Sequence, residues 1–286
     1  MTEVHHFAYG WFSPALAYAL SFLGSLAGLS FTARARAAGR PRPGSSGVVR
    51  RAGSHGRSRL GRGHRTRWLV LAAVSIGGAG IWLMHFMAML GFDVPDSPVR
   101  YDPARTLLSM IIAIGACGFG LFMVGGDRPG RYRILTAGAI TGIAVAAMHY
   151  TGMAALRVAG TIRYDPGLVA ASVIIAVVAA TVALLFTIAA RRPGHIVGAA
   201  LIMAVAVCGM HYTGMAATRV ELSDSFGAVS GVSPLLLIIP MTLITSAGLL
   251  GMALSGLQAM TAEEFGLPAP PPPARPAQPV RLLSPR

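Results

Sequence analysis

Two eight-residue words decide how this chain folds: Met148-His149-Tyr150-Thr151-Gly152-Met153-Ala154-Ala155 and Met210-His211-Tyr212-Thr213-Gly214-Met215-Ala216-Ala217. A looser copy stands earlier, at Met84-His85-Phe86-Met87-Ala88-Met89. Successive histidines lie 64 and 62 residues apart, and the words Tyr101-Asp102-Pro103 and Tyr164-Asp165-Pro166 lie 63 apart. A regular interval of this size marks one structural unit used several times.

Working outward, apolar runs occur near 11–32, 68–91, 104–125, 134–156, 167–190, 196–217 and 235–257. Each approaches or exceeds the roughly 20 residues that cross hydrocarbon as a helix, about twice the length of a barrel strand. The expected fold is an all-α membrane protein with seven transmembrane helices, three repeated helix pairs plus one. Composition agrees: of 286 residues, 54% are hydrophobic and 12% charged, with mean hydropathy +0.62, whereas soluble domains carry about 25% charge. Asp or Ser before Pro reads as a helix cap followed by a first-turn proline. Asp102, Asp165 and Ser13 are the three such caps. Gly24 with Gly28, and Gly138 with Gly142, have the four-residue spacing that lets membrane helices approach closely.

The net charge of +14 comes from Arg alone, with no Lys, and 19 of the 24 Arg fall in 33–67, 126–133, 191–195 and 258–286. That distribution reads as topology, so no nucleic-acid partner is expected. It predicts a cytoplasmic-membrane protein with its amino terminus outside and its carboxyl terminus inside. Within a membrane domain of 1–257, residues 33–67 are expected to form a disordered cytoplasmic loop that lies against anionic lipid. Residues 258–286 are expected to form a Pro-rich disordered cytoplasmic tail. The opening MTEVHHFAYG lacks the basic start and cleavage site of a secretory signal. Cys117 and Cys208 lie inside apolar runs, which excludes a disulfide framework. With no carboxylate pair, nucleophile with base, or phosphate loop in view, the chain is not expected to be an enzyme.

Each repeated His falls about six or seven residues before the outer end of its helix, roughly 10 Å below the surface. Titratable side chains within a span usually face the bundle interior, so three at one depth predict convergence on one site. A Met four residues after each His shares its face, and another precedes it by one. The candidate metal ligands are therefore Met84, His85, Met89, Met148, His149, Met153, Met210, His211 and Met215. Thioether and imidazole donors, with no carboxylate in the layer, suit copper best. Haem held by the histidines, or interhelical hydrogen bonding without a cofactor, is compatible with the same residues, as is a membrane protein that handles or transports copper. Cys208 is expected to be a small buried residue, Trp82 an anchor near the interface, and His5 and His6 solvated.

At these words the sequence resembles the bacterial MHYT sensor-domain family, named for the run intact at Met148–Thr151 and Met210–Thr213. The similarity covers roughly residues 5–257 and includes Gly-Met-Ala-Ala at 152–155 and 214–217, and Gly80-Ile81-Trp82 before Met84-His85-Phe86. The resemblance implies an integral membrane sensor that coordinates copper near the outer face and senses a diatomic gas: oxygen, carbon monoxide or nitric oxide. It maps the ligands onto Met84 with His85, Met148 with His149, and Met210 with His211. Signalling would pass to a cytoplasmic partner of unknown identity. The first copy departs from the pattern in Phe86 and Met87, which removes a hydroxyl pair.

Overall fold

The computed structural model describes residues 10–38, 54–95, 97–126, 129–190, 192–222 and, with gaps, 229–251. Helix α1 is Phe12–Ala38. A continuous rod follows, formed by α2 (Ser54–Ala73), a wide-turned π-helical segment π1 (Val74–Leu83) and α3 (Met84–Met89). Then come β1 (Arg100–Tyr101), α4 (Pro103–Val124), α5 (Arg131–Ala155), β2 (Leu156–Arg157), β3 (Gly160–Tyr164), α6 (Pro166–Ala189), α7 (Pro193–Ala216) and β4 (Thr218–Leu222).

Six helices among the described residues are long and apolar enough to cross a membrane. The seventh expected span opens with helical residues 234–237 and lies in large part outside the described residues. The helices close a ring in which α1 packs on π1, π1 on α4, α4 on α5, α5 on α6, α6 on α7, and α7 back on α1. Short α3 sits against both α5 and α7. The two complete Met-His words therefore flank the first.

Close approach is built in at the glycine pairs. A Cβ on Gly24 would collide with the Gly80 backbone of π1, and one on Gly142 would collide with the Val177 backbone and lie 2.7 Å from the Ala176 carbonyl of α6. Backbone cannot swing aside as a side chain can, so these positions demand glycine. The Asp caps also hold. Asp102 accepts from the Ala104 and Arg105 amides, and Asp165 from those of Gly167 and Leu168, with Pro next in line. Ser13 differs: α1 begins at Phe12, which puts Ser13 inside its first turn, where Oγ has no hydrogen-bond partner among the described residues.

One expectation needs correction here. Residues 33–67 are not one disordered loop, since α1 continues to Ala38 and α2 starts at Ser54; residues 39–53 lie outside the described residues. Arg is a good helix former, and the extensions brace each other. Phe31 stacks on Trp68 at 5.5 Å, the Arg34 guanidinium lies 5.1 Å from the Trp68 ring, and Arg36 donates to the Ala190 carbonyl at 2.8 Å. The histidine end of the bundle carries two antiparallel ribbons, which the sequence reading did not name. Strand β1 pairs with β2, and β3 with β4. Each ribbon ties the residues before one helix to those after the next Met-His helix. The Asp102 amide donates to the Ala155 carbonyl and the Asp165 amide to the Ala217 carbonyl, both at 2.8 Å. The expected tail, 258–286, lies outside the described residues.

This packing separates two glycines of similar sequence context. Gly142→Ala is expected to cost about 1–3 kcal/mol by overpacking and to lower the thermal midpoint of the purified protein. Gly115→Ala, whose Cβ meets nothing within 4 Å, is expected to hold or raise it.

Candidate metal centre

His85, His149 and His211 lie four, six and five residues before the ends of α3, α5 and α7. All three are buried, at most 1% exposed, and they meet. Nδ1 of His85 stands 3.0 Å from Nδ1 of His211 and 3.2 Å from Nδ1 of His149. Ring centroids are 5.0–5.2 Å apart and each pair of rings is nearly perpendicular. The ligand atoms of the three form a cluster spanning no more than 4.8 Å.

The outer edges of the rings are held by shape. A Cβ on Gly152 would lie 2.5 Å from His85 Nε2, and one on Gly214 would collide with His149 Nε2. Each of these imidazoles is thus seated on the glycine that follows the histidine of the next repeat by three residues. In the first repeat Ala88 occupies that position. Nε2 of His85 and of His149 has no hydrogen-bond partner among the described residues. A ligating imidazole is usually oriented by an acceptor on its second nitrogen; here a close-fitting backbone performs that task.

Protonation alone satisfies this arrangement poorly. A neutral imidazole carries one N–H and one lone pair. If His85 Nδ1 carries its proton, His149 must accept through Nδ1 and keep its own proton on Nε2, where nothing accepts it. If His85 accepts instead, its own Nε2–H is stranded. A buried unmet donor costs about 1–3 kcal/mol. The donor set fits a metal ion better: metal–imidazole bonds of about 2.0–2.1 Å in a trigonal set separate the nitrogens by about 3.5 Å, a few tenths of an ångström beyond the distances present. Imidazole suits copper, zinc, iron and nickel.

All six candidate methionines are buried, at most 3% exposed. Three have distinct surroundings. Met84 packs with Ala17, Met87 and Ala88 toward Cys208 and Tyr212, Met153 lines a recess at the histidine end, and Met210 lines an inner cavity. Cys208 is half-buried. His5 and His6 lie outside the described residues.

An aromatic ring follows each histidine and meets it edge-on, Phe86 at 4.8 Å and Tyr150 and Tyr212 at 4.9 Å. The Tyr150 hydroxyl shares a 2.7 Å hydrogen bond with Ser172 Oγ. Ser109 is the matching serine one repeat earlier, seven residues after its Asp cap, and Phe86 cannot reach it with a hydroxyl. Trp82 does so instead, donating from Nε1 to Ser109 Oγ at 3.0 Å and to the Thr106 carbonyl at 3.2 Å. Trp82 is therefore an interior hydrogen-bonding residue, buried against Phe86, and not the interface anchor expected.

The ribbons cap the centre. Arg157 pairs with Asp102 at 2.6 Å and Arg163 with Glu221 at 2.7 Å. The Arg157 hydrogen bond holds the Asp102 carboxyl below the usual carboxylate range, while burial pushes the Tyr164 phenol up to about 12.

The MHYT family, described as the bacterial signalling protein N-terminal repeat, matches at residues 78–137, 142–200 and 205–266. The chain is 37% identical over 218 residues to the bifunctional diguanylate cyclase/cyclic di-GMP phosphodiesterase MucR of Pseudomonas aeruginosa, covering 72% of this chain and 32% of that protein. It is 41% identical over 160 residues to the cyclic di-GMP phosphodiesterase NbdA of the same organism, covering 54% and 20%. With the signaling protein YkoW of Bacillus subtilis it shares 35% identity over 162 residues, covering 52% and 19%. The chain thus spans a third or less of these relatives. No solved structure matches it.

The glycine seat is testable without any metal. Gly152→Ala is expected to cost about 1–3 kcal/mol of stability, read as a drop in thermal midpoint. Most of that cost should vanish in a His85→Ala background, where the ring that collides is gone; additive effects would show that the two residues do not touch.

Proposed function

The chain belongs to the MHYT family of bacterial signalling proteins, and we propose that it is the sensing module of a cytoplasmic-membrane signalling system, holding copper at the three-imidazole centre. The observation that carries this reading is the convergence of three buried Nδ1 atoms, two of their contacts being 3.0 and 3.2 Å. In the proposed orientation the histidine end faces outward and the arginine-rich end lies at the cytoplasm.

His85, His149 and His211 would hold the ion through Nδ1, with sulfur from Met84, Met89, Met148, Met153, Met210 or Met215 as supplementary soft donors. When bound, copper in its cuprous state supplies a soft Lewis acid with affinity for oxygen, carbon monoxide or nitric oxide. The residues themselves supply the rest. Gly152 and Gly214 fix ring orientation, the apolar layer excludes water, and the ribbons couple the outer ends of neighbouring repeats. A change in ring position at the centre is therefore transmitted to α5 and α7 as whole helices. MucR and NbdA are named for cyclic di-GMP synthesis or hydrolysis; the role proposed here is input to a cytoplasmic partner of that signalling kind.

Two alternatives fit less well. Rings 5.0–5.2 Å apart leave no slot for a porphyrin between them, which argues against haem. The cavity beneath the centre is lined chiefly by Ala, Val, Leu, Ile and Met, which offers an ion no polar path and argues against copper transport.

Metal analysis with an absorption spectrum on purified, copper-exposed protein tests the reading. About one copper per chain is expected, lost in the His85→Ala, His149→Ala, His211→Ala triple variant with helical content retained. A porphyrin band, or no metal in correctly folded parent, would overturn it.

A further inference from the structure

Beneath the three imidazoles, away from the histidine end, lies a cavity of about 60 Å³ between π1 and helices α4 to α7. Its wall nearest the centre includes Met210, which precedes His211, with Ile81 and Val145, each one helical turn before His85 and His149. Its two threonine hydroxyls are turned away from any ligand. Thr141 Oγ1 donates to the Ala116 carbonyl at 3.4 Å and Thr187 Oγ1 to the Leu184 carbonyl at 2.6 Å. A water needs two to four polar partners to stay in such a space, and apolar cavities without them remain dry and admit apolar solutes such as xenon.

Between α6 and α7 the cavity adjoins the surface of the bundle. A groove between α6 and α7 shares Ala179, Met203 and Ala206 with it. The groove's other residues include Ile174, Val178 and Ile202, each more than half exposed, on two helices apolar enough to cross a bilayer. In a membrane that face lies against hydrocarbon. The residues common to groove and cavity are two alanines and one methionine, whose thioether side chain is flexible.

We propose that the cavity is a binding site for a small uncharged diatomic gas, filled sideways from the bilayer between α6 and α7 and opening onto the imidazole centre past Met210. Oxygen, carbon monoxide and nitric oxide dissolve better in hydrocarbon than in water, so the membrane itself concentrates them at this entrance. Ions and water meet a wall that is almost wholly apolar, with the Cys117 thiol a weak hydrogen-bonding group in its lining. The cavity's occupancy stands on its own geometry; only the last step, delivery to the centre, rests on the copper reading above.

Xenon is the probe for the first part, because it binds dry cavities and needs no metal. Metal-free protein in phosphatidylcholine nanodiscs is expected to show a saturable bound component by xenon NMR. Ala176→Phe and, separately, Ala180→Phe put a ring into the cavity and are expected to abolish that component, and the milder Ala176→Val to weaken it. Ile111→Phe, on an exposed face of α4, is expected to leave it intact. No saturable component in the parent, or persistence in both Phe variants, overturns the site. For the route, carbon monoxide rebinding after photolysis of copper-loaded protein is expected to slow in Ala179→Phe with its final extent unchanged; an unaltered rate overturns lateral entry. Normal xenon binding with no carbon monoxide uptake by copper-loaded parent would instead overturn the gas-responsive centre and leave the cavity standing.

Discussion

Three buried imidazoles meeting edge to edge inside an apolar bundle is the constraint on which the rest of this molecule depends. Such groups are costly in a membrane interior, and bringing their Nδ1 atoms to 3.0 and 3.2 Å requires three helices to approach one point together. The glycines make this possible. Gly24 and Gly142 let helix backbones touch, and Gly152 and Gly214 let the outer edges of the rings reach the next repeat. Capped helix starts at Asp102 and Asp165, tied by ribbons to the ends of α5 and α7, fix the level at which the rings meet.

Repetition gives this arrangement an approximate threefold character, and the first copy breaks it in informative ways. Phe86 keeps the edge-on aromatic contact with its histidine but loses the hydroxyl that Tyr150 uses on Ser172. The equivalent serine, Ser109, is served by Trp82 instead. Ala88 replaces the seat glycine, and among the described residues a π-helical stretch precedes the Met-His word in this repeat alone. π-Helical turns are rare, and those inside α-helices are frequent at functional sites. Two repeats are close copies, and the third differs in ring partner, seat and backbone pitch.

Much of this was legible in the sequence, for identifiable reasons. The helices announced themselves because a span needs about 20 apolar residues, and the convergence because three histidines shared one depth. The Asp-Pro caps and glycine pairs followed from local stereochemistry. What escaped were features set by contacts between repeats. The ribbons are five residues or fewer and pair strands far apart in sequence, yet Arg-Tyr-Asp-Pro at 100–103 and 163–166 was a repeated signal for them. Trp82 looked like an interface anchor because amphipathic residues do gather there, and only the distant Ser109 shows otherwise. The helical ends of 33–67 were masked by an Arg, Gly and Ser composition that elsewhere means disorder. The cavity had no signature, since Ala and Val in a membrane helix read the same whether they face lipid, a neighbour or empty space.

The central claim is that His85, His149 and His211 meet through Nδ1, and nitrogen–nitrogen dipolar recoupling by solid-state NMR measures this directly. In the chain labelled at histidine Nδ1 and embedded in lipid, contacts matching 3.0 and 3.2 Å are predicted, disappearing with His85→Ala. Nδ1 labels with no partner closer than about twice that separation, far beyond hydrogen-bond range, would contradict the account.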